Sequence, residues 1–222
     1  MTRTLLLNCG PHGQASHGYQ LATDMLAELG LAQQPLLERD LVAAPIPPIS
    51  RDYALAITSN ASADAPALAW SETLIKELED SDLLMILTPM HNFAVPATLK
   101  LWLDQVIRIH RSFASTPEGK IGLMKDRPTL VLVSSGGFHA GPRARQEDFL
   151  TPYLRYALAS IGIRNVHFVL LQGLVFGPDA VAAAVDGARD ALREQLAPFK
   201  TAGAGGRCRA LSEWLARKSR QH

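Results

Sequence analysis

Short apolar segments alternate with longer amphipathic segments along most of this 222-residue chain. Strands are predicted at five apolar runs, residues 3–9, 36–41, 82–88, 129–135 and 165–174. Helices are predicted where apolar residues recur every three or four positions, at residues 17–29, 66–80, 97–109, 147–163 and 179–199. Three of the strands are continuous apolar runs, as expected for strands buried on both faces. The alternation predicts an α/β fold, a parallel sheet covered by helices on both sides.

The composition indicates one large domain. Because 47% of the residues are hydrophobic and 19% are charged, the chain can bury one sizeable core, which we place at residues 1–199. Residues 200–222 are expected to form a glycine-rich link and a short basic helix. This helix is either a solvated surface element or a contact to a partner subunit through Leu211, Trp214 and Leu215.

Charge and cysteine content indicate the class of protein and its compartment. The formal net charge is +1 with both signs interspersed, which predicts no nucleic-acid or membrane partner. Cys9 and Cys208 are too few for a disulfide framework, and the N-terminal run of three leucines is too short for a signal-peptide core. No run approaches the roughly 18 apolar residues of a membrane span. We therefore expect a soluble, cytoplasmic protein.

The loop after the first strand, Cys9–Gly18, has features of a phosphate site. Ligands bind beyond the carboxyl ends of parallel strands, so this loop lies at the expected edge of the sheet. Its three glycines permit close backbone approach, and Ser16 precedes a helix whose N-terminal N–H groups favour an anion. The spacing excludes the G-x-G-x-x-G fingerprint, and no Walker lysine follows. A tight turn capped by Ser16 explains the same residues.

The loop after the third strand, Pro89–Phe93, is suited to a flat heterocycle. Asn92 can present an amide, the backbone N–H groups can donate to ring acceptors, and Phe93 offers a flat apolar surface. The alternative is that Phe93 fills the core while His91 and Asn92 only form hydrogen bonds within a turn.

The loop after the fourth strand, Ser134–His139, contains two adjacent glycines. The pair Gly136–Gly137 lets a planar ligand lie on the backbone, and His139 can then donate to it, although a lone histidine is more often structural. A phosphate loop, a heterocycle loop and a flat platform together describe a site for a mononucleotide cofactor. FMN is the natural candidate.

Two of these loops carry a resemblance to a known family. The run PMHNFAVPATLKLWLD (89–104) resembles the P-M-[YH]-N-F…P…LK-x-[WY]-x-D signature of the FMN-dependent NAD(P)H:quinone oxidoreductase and azoreductase family, and SSGGFH (134–139) resembles its S-R-G-G-x-[HY] loop. The stretches SFASTPEGKIGL, TPYLRYALASIGI and VHFVLLQGLVFGP also fit, so that the resemblance covers about residues 3–197. It implies a flavodoxin-like three-layer sandwich with a five-stranded parallel sheet of order 2-1-3-4-5. It further implies a homodimer with FMN at the subunit interface, and two-electron transfer from NADH or NADPH to quinones or azo compounds.

The resemblance also implies which residues contact FMN. By position, one side of the ring is bound by Pro89, Met90, His91, Asn92 and Phe93, and the other by Ser134, Ser135, Gly136, Gly137 and His139. The phosphate is bound by Cys9, Ser16, His17 and Gly18. His139 is the candidate catalytic residue, through a hydrogen bond to the flavin or the acceptor, and no metal site is expected. The chain departs from the family at Cys9 and Gly18, where serines usually stand, which predicts weakened FMN affinity. It also departs at Ser135, usually an arginine, and at Ser115, often an aromatic residue, so that substrate range and nucleotide preference stay open.

The expected kinetics and assembly follow from this interpretation. The nicotinamide and the acceptor should occupy one slot in turn, which predicts a ping-pong mechanism. Helix 97–109 has a broad apolar face that suits either a dimer contact or packing on the sheet alone, formed by Leu99, Trp102, Leu103, Val106 and Ile107.

Three other classes of protein compete with this interpretation. A flavodoxin-like electron carrier is the first, although such carriers are typically acidic. A hydrolase of the acyl-carrier-protein phosphodiesterase type is the second, but the chain lacks both a G-x-S-x-G elbow and a carboxylate pair after the first strand. A receiver-type regulator needs acidic residues at the end of strand one, which are absent from the sequence there.

Overall fold

The computed structural model describes residues 1–196. In chain order its strands are β1 (Thr4–Asn8), β2 (Leu36–Asp40), β3 (Leu83–Pro89), β4 (Phe113–Thr116), β5 (Gly119–Gly122), β6 (Thr129–Ser134) and β7 (Val166–Leu171). The α-helices are α1 (His17–Glu28), α2 (Arg51–Thr58), α3 (Ala69–Glu79), α4 (Ala97–Val106), α5 (Thr151–Ser160) and α6 (Pro178–Leu196). The chain therefore alternates strand and helix, as its hydrophobic pattern predicts.

Five strands form one parallel sheet in the order β2-β1-β3-β6-β7. Counting only the strands of this sheet, the order is the predicted 2-1-3-4-5. The register pairs Asn8 with Leu87 and Pro89 with Ser134, so β1, β3 and β6 end close together. The chain order reverses between β1 and β3, where open α/β sheets bind their ligands.

Two hydrophobic cores, one on each face of the sheet, complete the three-layer sandwich. Because successive side chains of a strand point to opposite faces, Leu5 and Leu7 of β1 enter one core and Leu6 enters the other. The first core is closed by helices α3, α4 and α5, and the second by α1 and α6. The predicted flavodoxin-like architecture is confirmed.

The apolar face of α4 is buried within the chain itself. Leu99, Trp102, Leu103 and Val106 are all fully inaccessible and belong to the first core. This is the packing alternative for that face, so the hydrophobic stripe of α4 provides no support for a dimer.

Helix α5 begins four residues later than predicted. The Asp148 carboxylate accepts hydrogen bonds from the backbone N–H groups of Leu150 and Thr151, at 2.9 and 2.8 Å, and so satisfies the donors of the first turn. Helix α4 differs from the prediction at its other end: it stops at Val106, three residues before the predicted residue 109.

The β4–β5 hairpin is not predicted by the sequence pattern. Only Phe113 of its eight strand residues is buried and half of them are exposed, so they carry no regular apolar alternation. Residues 51–58, for which no element is predicted above, form α2 with Ser50 as its cap. No helix within residues 1–196 is long and apolar enough to cross a membrane. The predicted link and basic helix at 200–222 lie outside the described residues.

Candidate active site

The loops after β1, β3 and β6 meet at one edge of the sheet. The backbone N–H of Met90 donates to the carbonyl oxygen of Ser134 at 2.8 Å. The hydroxyl of Thr98 donates to the carbonyl oxygen of Cys9 at 3.2 Å. A Cβ atom at Gly18 would lie 3.5 Å from Oγ of Ser134. Three segments that are distant in sequence therefore form one surface, as the sequence analysis predicts.

A cavity of about 60 Å³ lies where helix α1 begins. It is lined by residues of all three loops, among them Asn8, Gly10, Ser16, Gly18, Pro89 and Ser134. Its volume suits a group the size of several water molecules, such as a phosphoryl group, and is too small for a flavin ring. The cavity therefore has the position and size of the predicted phosphate site.

Ser16 is the N-cap of α1. Its Oγ accepts a hydrogen bond from the backbone N–H of Tyr19 at 3.2 Å. The N–H groups of His17 and Gly18 fall in the first turn, where helix geometry offers them no acceptor within the helix. The capped turn that was the alternative to a phosphate site is present, and it leaves these two donors and the positive end of the helix dipole for an anion.

Cys9 does not present its thiol to the cavity. The side chain is only 1% exposed and lies in the first core, with Sγ 3.9 Å from the carbonyl oxygen of Leu7. Burial and the nearby Asp40 carboxylate hold the pKa of the thiol far above its usual value. The residue can therefore contribute only its backbone to the site.

An acidic residue that the sequence analysis did not identify lies beside the loop after β1. Asp40, the last residue of β2, accepts a hydrogen bond from Nδ2 of Asn8 at 3.4 Å. Its Oδ2 would lie 3.8 Å from a Cβ atom at Gly13. The sequence offers one signal for Asp40: it lies near the end of a predicted strand, and parallel strands end at the same edge of the sheet. Its negative charge opposes the binding of a phosphate there.

The loop after β3 forms a tight turn with two left-handed residues. His91 and Ala94 exchange two backbone hydrogen bonds of 3.0 Å, while Asn92 and Phe93 have φ values of 47° and 72°. This is the two-residue turn that normally requires asparagine or glycine. Phe93 is 47% exposed, so it does not fill the core, and that alternative is wrong. A bulky residue at positive φ is strained, and such strain is concentrated at functional sites.

The other residues of the loop after β3 differ in exposure. His91 and Asn92 are exposed, Met90 is half-buried against the first core, and the carbonyl oxygen of Phe93 accepts a hydrogen bond from the backbone N–H of Phe149 at 3.1 Å. The segment before α5 is thereby joined to the turn.

The two glycines after β6 lie close to neighbouring side chains. A Cβ atom at Gly136 would lie 2.9 Å from the Val175 side chain, and one at Gly137 would lie 2.8 Å from the Gln146 amide nitrogen. A larger residue at either position would require the exposed Val175 or Gln146 side chain to shift. A flat surface for a planar ligand would be the backbone on the opposite side of these residues, and that role stays a prediction.

Ser135 and His139 lie behind this loop and are almost fully buried, at 5% and 6% exposure. Oγ of Ser135 lies 2.9 Å from the carbonyl oxygen of Gly137 and 3.2 Å from Nδ1 of His139. Nε2 of His139 is buried and has no hydrogen-bond partner within residues 1–196. Burial lowers the pKa of His139, and the Asp148 charge opposes this effect only in part. The imidazole is therefore neutral near pH 7.

Gln172, which the sequence analysis did not single out, fixes the backbone at His139. Its side-chain oxygen accepts hydrogen bonds from the N–H groups of His139 and Ala140, at 2.8 and 2.9 Å. Gln172 follows β7, so its nearness to this edge of the sheet was the available signal.

Exposed apolar side chains surround the site. Phe93, Phe149, Val175 and Phe176 are each largely accessible, and the Phe176 ring stacks on Phe138 with centroids 5.6 Å apart. Within the described residues no group of three His, Cys, Asp or Glu side chains could hold a metal ion. The surface therefore suits a flat organic ligand.

Comparison with known proteins agrees with this geometry. Residues 2–196 match the family described by its flavodoxin-like fold. A protein of Pseudomonas fluorescens named FMN-dependent NADH:quinone oxidoreductase 4 is 57% identical over 197 residues, which cover 88% of this chain and 96% of that protein. FMN-dependent NADH:quinone oxidoreductase 5 of Burkholderia lata is 49% identical, covering 89% and 94%.

Solved structures show the same fold. The crystal structure of an azoreductase from Bacillus anthracis superposes with a TM-score of 0.71 at 22% identity, covering 87% of this chain and 100% of that one. The extent of the family match and the identity to the two relatives settle the relationship. The chain belongs to the FMN-dependent NADH:quinone oxidoreductase family and is an enzyme of that type.

Proposed function

We propose that this enzyme binds FMN at the edge formed by β1, β3 and β6 and uses it to transfer two electrons from NADH to quinones or azo compounds. The single observation that carries the proposal is the strained turn at Asn92–Phe93, which presents an exposed aromatic ring beyond the carboxyl end of β3. The names of the relatives support FMN and NADH, and the azoreductase title of the structural neighbour suggests azo compounds as further acceptors.

The residues of the site fit FMN. The cavity at α1 is the right size for the phosphate, and the N–H groups of His17 and Gly18 can donate to it. The exposed Phe93 ring and the backbone of the turn suit the edge of the isoalloxazine. A buried ring nitrogen without a partner, Nε2 of His139, marks a place where a bound group can complete a hydrogen bond.

FMN, when bound, supplies the hydride chemistry, and the protein supplies binding and orientation. The first turn of α1 would hold the phosphate end, and Phe93 and Met90 would contact the ring and help to exclude water from it. His139 is neutral, so it positions a ligand through a hydrogen bond and carries no charge to it. A single slot above the ring would take NADH and then the acceptor, which gives ping-pong kinetics.

We also propose that the active form is a homodimer in which the apolar side chains around the site are covered by a second copy. Phe149, Tyr156, Val175 and Phe176 are exposed in the single chain and flank the site, as interface residues do. A dimeric mass in light scattering is expected. A monomeric mass for the FMN-loaded enzyme would rule the dimer out.

The direct test of the function is an anaerobic titration. The purified protein is loaded with FMN, passed through a desalting column and mixed with NADH while its flavin absorbance is followed. Retained flavin that bleaches and then recovers when a benzoquinone is added supports the proposal. A protein that keeps no flavin contradicts it. Initial rates at several NADH and quinone concentrations should give parallel double-reciprocal lines, and intersecting lines would exclude the ping-pong mechanism.

The same assay separates the enzyme from an electron carrier. Steady consumption of NADH in the presence of excess quinone is expected of an enzyme. An electron carrier would instead show no sustained NADH consumption. The NADPH rate, measured in parallel, is expected to be lower, because the relatives are named for NADH.

A further inference from the structure

The contacts of Ser135 bear on where the protons of this buried pair lie. Its hydroxyl has one proton, and it lies within hydrogen-bond distance of both the Gly137 carbonyl oxygen and Nδ1 of His139. A carbonyl oxygen can only accept, so if both contacts are hydrogen bonds the hydroxyl proton goes to Gly137, whose oxygen also accepts from the Gly173 N–H at 3.2 Å. The contact with His139 is then a hydrogen bond only if Nδ1 carries a proton and donates it to Oγ.

A neutral imidazole with its proton on Nδ1 has a free lone pair on Nε2. The histidine is neutral because burial lowers its pKa, and Asp148 is the charged group that acts on it. Nε2 is buried without a partner within residues 1–196. A buried acceptor that is left unpaired costs free energy, so this atom is ready to receive a donor.

Gln172 holds the backbone segment that carries the His139 ring. Gln172 accepts hydrogen bonds from the backbone N–H groups of His139 and Ala140, so the segment that carries the imidazole cannot turn without breaking both. Ser135 determines the proton position, and Gln172 determines the place of the ring.

We propose that Ser135 is a positioning residue that holds His139 with its proton on Nδ1, so that Nε2 accepts a hydrogen bond from an N–H or O–H group bound at the site. This differs from the expected role of His139 as a donor. The choice of ligand rests on the proposed function: FMN offers its ring N3–H and its ribityl hydroxyls as donors.

The test is nitrogen NMR of the imidazole. Long-range ¹H–¹⁵N correlation spectra of labelled protein at pH 7.5 distinguish the two neutral tautomers and the imidazolium, and a His139→Gln variant identifies the signals among those of the seven histidines. The wild type is expected to show a protonated Nδ1 and a bare Nε2. A proton on Nε2, or a doubly protonated ring, would overturn the proposal.

Two variants test the part played by Ser135. Ser135→Ala removes the acceptor for Nδ1–H and should shift the ring toward the other tautomer, whereas Ser135→Thr keeps the hydroxyl and should retain the wild-type pattern. An unchanged pattern in Ser135→Ala overturns the role of Ser135. If Ser135→Ala does not fold, the pattern of the wild type and of Ser135→Thr still decides the question.

Binding of FMN tests the acceptor role. Saturating FMN should move the Nε2 signal of the wild type, and Ser135→Ala should bind FMN about three- to tenfold more weakly, the size expected for one hydrogen bond. FMN that binds and leaves Nε2 unchanged overturns the acceptor role. FMN that does not bind the wild type overturns the proposed function, and the tautomer of the FMN-free protein then supports or overturns the role of Ser135 independently.

Discussion

Asn92 and Phe93 occupy consecutive left-handed backbone positions, and the second of them is a half-exposed phenylalanine. Asparagine tolerates this conformation, but an aromatic residue with φ of 72° pays a steric cost of about 1 kcal/mol or more. The turn that places this ring is closed by two hydrogen bonds between His91 and Ala94. The protein therefore keeps an unfavourable residue where its side chain faces outward.

Replacing Phe93 by glycine should separate stability from binding. Glycine adopts positive φ without strain, so we expect the melting temperature of Phe93→Gly to be equal to or higher than that of the wild type. FMN affinity should fall about tenfold or more, because the isoalloxazine ring of FMN loses its contact with the phenylalanine side chain. Calorimetry and a fluorescence titration with FMN measure the two effects.

A control for Phe93→Gly is available on α2. Leu55→Ala also removes an exposed apolar side chain, on a helix that contributes no residue to the three loops or to the cavity at α1, and should leave FMN affinity unchanged. Wild-type FMN affinity in Phe93→Gly would show that Phe93 does not contact the cofactor.

Two serines cap helices in the same way, and only one of them lies at the site. Oγ of Ser16 accepts from Tyr19 N–H and Oγ of Ser50 accepts from Tyr53 N–H, at 3.2 and 3.1 Å. Ser16→Ala and Ser50→Ala should each destabilise the protein by about 1 kcal/mol through loss of the cap. Only Ser16→Ala should also weaken FMN binding, which equilibrium dialysis measures after both variants are matched for folding. Equal FMN affinity in the two variants would leave Ser16 with a capping role alone.

The fold is predictable from the sequence because its strands are buried and its helices amphipathic. Leu5, Leu6 and Leu7 form a strand that is apolar on both faces, and the structure places them in two different cores. The glycines and the unusual residues after β1, β3 and β6 locate the site, because parallel strands bring these loops together.

The features that the sequence does not predict depend on tertiary contacts, or on a residue in a backbone conformation that its type disfavours. The left-handed Phe93 contradicts the local preference of its residue type, so no propensity would assign it. Asp40 and Gln172 act on segments 32 and 33 residues away, and only the assembled sheet shows it. The β4–β5 hairpin is too exposed to leave an apolar pattern.

Removing the charge of Asp40 should strengthen phosphate binding. Asp40→Asn keeps a side-chain oxygen for the N–H groups of Val42 and Ala43, which the carboxylate now binds at 2.9 and 2.8 Å. Loss of the negative charge beside the loop should tighten FMN binding about two- to fivefold at low salt, with a smaller gain at high salt. Riboflavin lacks the phosphate and is the matched ligand: its affinity should stay the same. A gain that riboflavin shares would show that the charge acts elsewhere.

Acid should weaken the ion-pair cluster that joins α3 to the segment after α4. Glu72 accepts hydrogen bonds from Arg108 and Arg111, and Arg111 also binds Glu79. The hydrogen bonds of Arg111 hold the pKa values of both carboxyls below 4.5, although partial burial opposes this. A carboxyl with a lowered pKa in the folded state stabilises the protein above its unfolded pKa, and this contribution is lost as the pH falls through the folded value.

The expected result is a loss of stability as the pH falls below about 4.5, and a Glu72→Gln variant that is less stable at pH 7 but loses less on acidification. Urea unfolding at pH 7, 5 and 3.5 gives the free energies of unfolding. Glu118→Gln, at an exposed hairpin position, is the control for the loss of one negative charge. Its free energy of unfolding should change with pH as that of the wild type does. If Glu72→Gln and the wild type lose the same stability between pH 5 and pH 3.5, the cluster does not contribute, because the titrating carboxylate is the only difference between them.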